Sequence, residues 1–407
     1  MNYFLIDKDQ NYSYQKLLKD IRQSTYYYPV LITDNLYLYF KNLILSLVAD
    51  QPLTLLDSDL QPSMTKNIDV RMINKTENLE KNLHSISSIE NLVEKVLSSK
   101  STVTIFTSGT TGQPKEVNHT IKTLTRYLKK NNSHSKDIWA FAYNPSHIAG
   151  LQVFFQAFAN QNPIINVFNM GRNEIYSLID KYQITHISAT PTFYRLLLPK
   201  EISYPSIQRA TFGGEKTEGS LFEKIQQIFP NAKMNNIYAS TEAGSLFASK
   251  GDCFQIPEEI KDYIKFEENE LLIHKCLLGN SKSFFLKNNY YYTGDLIEWI
   301  DKDAGLFKFK SRKNELINVG GYKVNPNEVE NVILQIDGVQ QTVVYGKLNS
   351  VLGNILCADI KMEKGKEITE IEIRKILSYS LQDFKIPRII KFTDNIVLTR
   401  TGKIKRS

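Results

Sequence analysis

Cysteine is scarce and scattered. Cys253, Cys276 and Cys357 are odd in number and far apart, and none has a neighbour at metal-ligand spacing. That argues against a disulfide framework and for buried, reduced thiols in a cytoplasmic protein. Long hydrophobic runs are missing too. The most apolar segment, Leu36 to Ala49, is interrupted by Lys41 and is too short to cross a bilayer, so no membrane partner is expected. The start, Met1-Asn2-Tyr3-Phe4 followed by Asp7, Lys8 and Asp9, lacks the basic-then-apolar order of a signal peptide. Neither sign of charge dominates: 50 Lys and Arg against 43 Asp and Glu leave +7 over 407 residues. The sequence has no dense Lys/Arg block interleaved with aromatics, which argues against nucleic acid. Mild basicity suits anionic small molecules or an acidic partner protein instead. Repeats and low-complexity segments are absent.

What is present is enough apolar material for two domains, with 42% hydrophobic and 11% aromatic residues. One stretch is rich in chemistry. Thr107-Ser108-Gly109-Thr110-Thr111-Gly112-Gln113-Pro114-Lys115 packs hydroxyls, two glycines and a lysine together. The β-branched and aromatic run Thr102 to Phe106 before it reads as a buried strand. Asn118-His119-Thr120 after it opens a helical pattern, with Leu124 and Leu128 one turn apart. Strand, glycine-rich loop and helix form a phosphate cradle. Glycine lets backbone N–H groups approach the anion, while hydroxyls and an ammonium add donors. The loop is not a Walker A, because Lys115 does not follow a glycine directly.

Taken in order, residues 1–100 open as α/β, with Leu17, Leu18 and Ile21 on a helix and short strands at Pro29 to Thr33 and Leu53 to Leu56. From Ile138 to Phe247 strands and helices alternate, which predicts a mainly parallel sheet with ligands at the carboxyl ends of its strands. Polar or glycine-bearing turns end several of these strands: Asn144 to Gly150, Ala189-Thr190-Pro191, Gly213-Gly214-Glu215, and Ala239 to Gly244. Shorter strands and hairpins run from Leu271 to Phe309, and Ser311 to Glu315 is a charged break. The rest reads as a compact α+β unit. The fold class expected is thus α/β: a large mixed or parallel α/β domain over residues 1–312, then a small mobile α+β domain over 313–407.

With that loop, Tyr238-Ala239-Ser240-Thr241-Glu242, Tyr292-Thr293-Gly294-Asp295, Arg312 and Thr401-Gly402-Lys403 in this order, the chain resembles the adenylate-forming, AMP-binding superfamily. The likeness runs from about Ser101 to Arg406. It looks most like the acyl- and aryl-CoA ligases, such as o-succinylbenzoate-CoA ligase. The resemblance implies ATP, Mg²⁺ and coenzyme A, or a carrier-protein phosphopantetheine in place of the last. It places Thr107 to Gly112 and Lys115 on the β- and γ-phosphates, Glu242 on Mg²⁺ and Thr241 on the α-phosphate. Asp295 and Arg312 fall on the ribose, and Tyr238 with Gly213, Gly214 and Glu215 on the adenine. Lys403 sits against the reacting carboxylate and the α-phosphate. Asn314 falls at the family's hinge, where Asp or Lys is usual, and Gly320 and Gly321 would line a thiol tunnel after the small domain rotates.

The acid is less legible. The turn Ser146-His147-Ile148-Ala149-Gly150 carries no carboxylate to hold a substrate amine. A small aliphatic or aromatic carboxylic acid is therefore expected rather than an α-amino acid, with His147, Gly150, Phe154, Thr190 and Ser240 around it. The part ahead of Thr107 is shorter than the family usually carries, which leaves room for a homodimer or an acyl carrier protein as partner. Three readings stay open: a ligase making acyl- or aryl-CoA, a stand-alone enzyme loading a carrier protein, and a nucleotide-binding regulator without catalysis.

Overall fold

Short runs in which large and small apolar residues alternate build the centre of the molecule. Phe141 and Tyr143 point into one core while Ala140 and Ala142 point into the other, the period of two expected of a strand covered on both faces. The computed structural model describes residues 3–57, 69–107, 115–198, 202–215, 217, 219–250, 253–319, 322–349 and 353–397. Five strands, Ile164–Asn166, Trp139–Phe141, His186–Ala189, Arg209–Gly213 and Lys233–Ser240, lie side by side and parallel. Tyr3–Asp7 adds a parallel strand beside Ile164–Asn166, one with no counterpart in the sequence expectations, and Gln10–Ser13 pairs antiparallel with it at the edge. Helices Leu36–Ala49 and Ile148–Ala159 cover one face, and Arg172–Tyr182 and Gly219–Ile228 the other.

After Ser240 the chain reverses, and the sheet continues antiparallel through Gly244–Lys250, Cys253–Gln255, Leu306–Arg312, Tyr290–Asp301, Glu270–His274 and Ile264–Glu267. The expected break at Ser311 begins later, since Ser311 and Arg312 still belong to a strand and the turn is Lys313–Glu315. Beyond it a separate core, built from residues between Val319 and Ile390, forms the small domain. A long hairpin, Val339–Asn349 with Gly353–Met362, is backed there by helices Pro326–Ile333 and Glu370–Ser378. Among the described residues, no helix is long and apolar enough to cross a membrane. The expectation of three buried thiols needs correcting: Cys357 is buried, Cys253 half-buried and Cys276 exposed.

A second, smaller sheet carries the segments around the glycine-rich stretch. Val30–Leu31, Leu53–Leu55 and Thr102–Thr107 run parallel, and Lys115–Thr120 returns antiparallel with Thr107 opposite Lys115. The segment after the loop is therefore a strand, not the expected helix. Val117 and His119 alternate inward, and only Ile121–Leu124 is helical. The phosphate cradle expected from a helix N-terminus becomes the connection of a hairpin. Ser108, Gly109, Thr110, Thr111 and Gly112 themselves lie outside the described residues.

The two sheets are joined at His119. Its ring is fully buried (0% exposed), with Nε2 2.8 Å from the Thr241 carbonyl, to which it donates, and Nδ1 3.2 Å from Thr123 Oγ1. The same strand exchanges backbone bonds between Asn118 and Asn280. Any side chain at Gly279 would strike the His119 ring, since a Cβ there would lie 2.8 Å from Cε1. Burial lowers the His119 pKa to about 4; the Thr241 bond opposes this only in part, and the Arg126 charge adds to it. The unfolded chain, near 6.5, takes up the proton first, so stability is whole above pH ~6.5 and declines as pH falls toward 4. A gap of that size corresponds to about 3 kcal/mol. His186, lowered to about 4 chiefly by burial, adds a similar slope. Replacing His119 with Gln should flatten the pH 4–6.5 limb of the denaturation free energy by about one proton; an unchanged slope would show that His119 is not buried neutral.

Candidate active site

The carboxyl ends of the parallel strands, the long antiparallel strands and the small domain enclose one open cleft of about 1580 Å³. That exceeds the roughly 300–1,000 Å³ of a single small-molecule pocket. On one wall Asp295 and Arg312 are cross-strand partners. Arg312 Nε donates to Asp295 Oδ1 at 2.6 Å, and the Tyr238 hydroxyl donates to Oδ2 at 2.6 Å. Burial works against the Arg312 charge, but Asp295 more than compensates and the pKa of Arg312 rises. Burial, reinforced by Asp295, keeps the Tyr238 phenol protonated far above neutrality. The Tyr238 ring stacks on Phe309 and Phe247, with centroids 4.5 and 5.0 Å away. Asp295 has two direct partners but four lone-pair sites, so acceptor capacity remains toward the cleft.

The turn that carries Asp295 is pinned from below. Gly294 takes φ +76° with open space where a Cβ would stand, so glycine is there for its backbone angle. Its N–H donates to Glu270 Oε1 at 2.8 Å. Glu270, 3% exposed, also accepts Lys313 Nζ at 2.6 Å, immediately before Asn314. One buried carboxylate thus ties the Asp295 turn to the end of the large domain. Neither Glu270 nor Lys313 stands out in the sequence, because the pair forms across strands distant in the chain.

Thr241 and Glu242 sit in the tight turn between Lys233–Ser240 and Gly244–Lys250. Carbonyls hold this turn in place. Thr241 O accepts from His119, Glu242 O from the Gly279 N–H at 2.8 Å, and Ala243 O from Arg126 Nη1 at 2.9 Å. Arg126 also donates to Leu277 O at 2.6 Å, and Ser240 Oγ accepts the Ala243 N–H at 3.2 Å. The carboxylate of Glu242 is nearly unengaged by comparison, reached by the Tyr291 hydroxyl at 3.5 Å. Lys115 lines the same cleft. His119 and Arg126 were missed in the sequence, since a partner that is a backbone carbonyl leaves no motif.

Gly213 and Gly214 end their strand beside the cleft, Gly214 at φ +82° and Gly213 with a would-be Cβ 3.4 Å from the Tyr143 hydroxyl. Glu215 Oε2 accepts from Thr192 N and Oγ1 at 3.1 and 2.7 Å, so its carboxylate caps the helix Pro191–Leu196. Thr190 accepts the Phe193 N–H at 3.1 Å as the N-cap of that helix, and it lines the cleft. Elsewhere the cleft is lined by His147, the N-cap of the helix Ile148–Ala159, by Gln152, Val153 and Gln156 of that helix, and by Tyr143, Ser188 and Trp139. Gly150 and Phe154 need correcting as lining residues. A Cβ at Gly150 would stand 2.6 Å from Asn144 O, so this glycine lets helix and turn pack closely. Phe154 is 0% exposed and stacks on Phe40 and Phe158, centroids 4.6 and 5.4 Å away, because its helix turns that residue into the core. Gly320, Gly321 and Lys403 lie outside the described residues, and Asn314 falls in the turn Lys313–Glu315.

Comparison with known proteins agrees with this architecture. Bacitracin synthase 3 of Bacillus licheniformis is 27% identical over 366 residues, 80% of this chain and 6% of that protein. The 2-succinylbenzoate–CoA ligase of Staphylococcus aureus is 26% identical over 329 residues, 74% of this chain. The chain spans 65% of that relative's length. Among solved structures, the o-succinylbenzoate CoA synthetase of Bacillus subtilis with its acyl-adenylate superposes with a TM-score of 0.72 at 18% identity, covering 99% of this chain and 94% of that one. An anthranilate CoA ligase with anthranoyl-AMP gives 0.76 at 17%, covering 99% and 92%. These likenesses show a shared fold. The sequence model of the AMP-binding enzyme matches residues 40–263, and that of the AMP-binding enzyme C-terminal domain matches 328–403. The chain belongs to the AMP-binding enzyme family.

Proposed function

We propose that this chain is an ATP-dependent carboxylic acid–thiol ligase that works through an acyl-adenylate. The observation that carries the reading is the convergence of Tyr238, Asp295 and Arg312 with Thr241, Glu242 and Lys115 on one cleft. The acid carboxylate attacks the α-phosphorus of ATP, the bond to pyrophosphate breaks, and a thiol then displaces AMP to give the thioester. The first step brings two anions together, so cations and fixed donors are needed where charge builds up. Asp295 accepts the ribose hydroxyls while Arg312 and Tyr238 hold its carboxylate in place. Tyr238 offers the adenine a flat face beside Gly213 and Gly214. Thr241 donates to the α-phosphate from a turn fixed by His119 and Arg126. The glycine-rich hairpin with Lys115 takes the outer phosphates, and Lys403 neutralises the meeting carboxylate and phosphate.

Glu242 fits Mg²⁺, since a lightly engaged carboxylate on the cleft is the oxygen donor that a hard cation selects. When bound there, the ion supplies charge neutralisation for the leaving pyrophosphate. The acid chamber between His147 and Ser188 suits a small acyl or aryl acid. Its walls present neutral amides, hydroxyls and rings, and Gln152 and Gln156 are already bonded to Ser245 and Lys129. The domains meet at 312/313, with Asn314 as pivot and Gly320-Gly321 entering after adenylation. The thiol is that of coenzyme A, and a carrier-protein phosphopantetheine is the second acceptor to test.

Pyrophosphate exchange into ATP with a panel of acids tests this directly. Exchange with a small acyl or aryl acid and none with α-amino acids is expected, while silence across the panel would favour a non-catalytic nucleotide binder. Free CoA and carrier protein, offered in turn to the adenylate, identify the acceptor. Lys403→Ala should reduce exchange by about 10²–10³-fold and spare thioester formation from supplied acyl-adenylate. An equal loss in both half-reactions would remove the two-conformation account. Glu242→Gln should lower exchange by a similar ~10²-fold with no change in melting temperature, because its carboxylate carries little structural bonding. A large drop in melting temperature would assign Glu242 to the fold instead.

A further inference from the structure

Three side chains that the proposed reaction does not use converge behind the acid chamber. His134 ends the turn Asn132–His134, Asp137 precedes strand Trp139–Phe141, and His186 opens the adjacent strand, in register with Trp139. His134 Nδ1 lies 2.8 Å and His186 Nε2 3.5 Å from the same Asp137 oxygen, Oδ2. The three candidate ligand atoms fall within 4.8 Å of one another. The Asp137 and His186 side chains are 8% and 6% exposed, and that of His134, at 18%, leaves a way in.

The contacts within this cluster leave one gap. Thr185 Oγ1 accepts the Ile138 N–H at 2.8 Å and donates to Ile138 O at 3.2 Å. The same hydroxyl lies 2.9 Å from His186 Nδ1. On its other side the ring turns Nε2 toward Asp137 Oδ2 at 3.5 Å, longer than the roughly 2.7–3.2 Å of an ordinary N–H···O bond. Close by, Asn162 is 0% exposed and donates through Nδ2 to His134 O at 2.9 Å. Its Oδ1 has no hydrogen-bond partner among the described residues.

We propose that His134, Asp137 and His186 bind one borderline divalent metal ion of the zinc type, seated between His186 Nε2 and Asp137 Oδ2. Two imidazoles and a carboxylate are the donor set that zinc and cobalt accept and that magnesium does not favour. Thr185 Oγ1 would accept from Nδ1 of a ligating His186 and so orient the imidazole. The ion's role is structural: it fastens the 132–137 loop to the start of two strands. Trp139 packs against His186, tilted by 36° with centroids 4.8 Å apart, and also lines the cleft, so the ion stiffens the back wall of the acid chamber.

Untagged full-length protein, stripped with a chelator and titrated with Co²⁺ without nucleotide, tests the site. Visible d–d absorption saturating at a single equivalent, bleached by Zn²⁺, with a rise in melting temperature, is expected. His134→Ala should lose both signals while keeping its circular dichroism, and Glu242→Gln should keep both, separating this site from the nucleotide cleft. If His134→Ala does not fold, Asp137→Asn serves the same purpose. Absence of the cobalt bands, or their survival in the folded His134 or Asp137 variant, overturns the proposal and leaves the three residues as a hydrogen-bonded cluster.

Discussion

One hydrogen bond, from the buried ring of His119 to the carbonyl of Thr241, fixes how the smaller sheet sits against the larger. The hairpin that carries Lys115 belongs to the first sheet and the turn that carries Glu242 to the second. A shift between them would part the groups proposed to hold the outer phosphates from those proposed to hold the α-phosphate and its metal. The bond is strong because water is excluded from it, and for the same reason it must stay neutral. Arg126 braces the far side of the turn by donating to backbone carbonyls at Ala243 and Leu277. Protein groups other than ligand contacts therefore fix the position of the Thr241–Glu242 turn.

Charge in the cleft follows a related logic. Asp295 is matched by Arg312, and Glu270 by Lys313, each pair at 2.6 Å. Both carboxylates are buried, and a buried carboxylate without a cation would be costly. Glu242 differs, with one long contact to a tyrosine hydroxyl. Charge matching thus sorts carboxylates that hold the architecture from one left available to a cation. Glu270 adds a mechanical link, since it grips the Asp295 turn through Gly294 and the residue before the proposed pivot through Lys313. In the proposed reaction, ribose occupancy and small-domain rotation are adjacent events on one rigid strap.

Much of the fold was legible from apolar periodicity. The parallel strands carry alternating large and small residues, and their helices carry apolar stripes with clear caps, as at Thr190 and Thr369. The order of the motifs gave the candidate residues at the strand ends. What could not be read has physical causes. Asn118-His119-Thr120 reads as a helix start because Leu124 and Leu128 lie one turn apart, yet Val117 and His119 alternate as in a strand and the tertiary pairing with Thr102–Thr107 decides. Tyr3–Asp7 is only a short strand, and its parallel partner Ile164–Asn166 comes much later in the chain. His119, Arg126, Glu270 and Lys313 act through carbonyls or cross-strand pairs, which only the folded chain brings together. Phe154 looked like a lining residue on a helix beside the acid, but its side chain points into the core.

That misplacement also bears on the proposed acid chamber. The helix Ile148–Ala159 turns Phe154, Phe155 and Phe158 into the core and presents Gln152, Val153 and Gln156 to the cleft. The chamber is therefore bounded by amide and aliphatic groups on one side and by Tyr143, Ser188 and Trp139 on the other. Trp139 lines it, and that ring packs, tilted by 36°, against His186 with centroids 4.8 Å apart. A substitution at His186 would act on the chamber through Trp139. Selectivity in the proposed site then depends on the layer behind the wall as well as on the wall itself, because packing within that layer holds the lining surface in place.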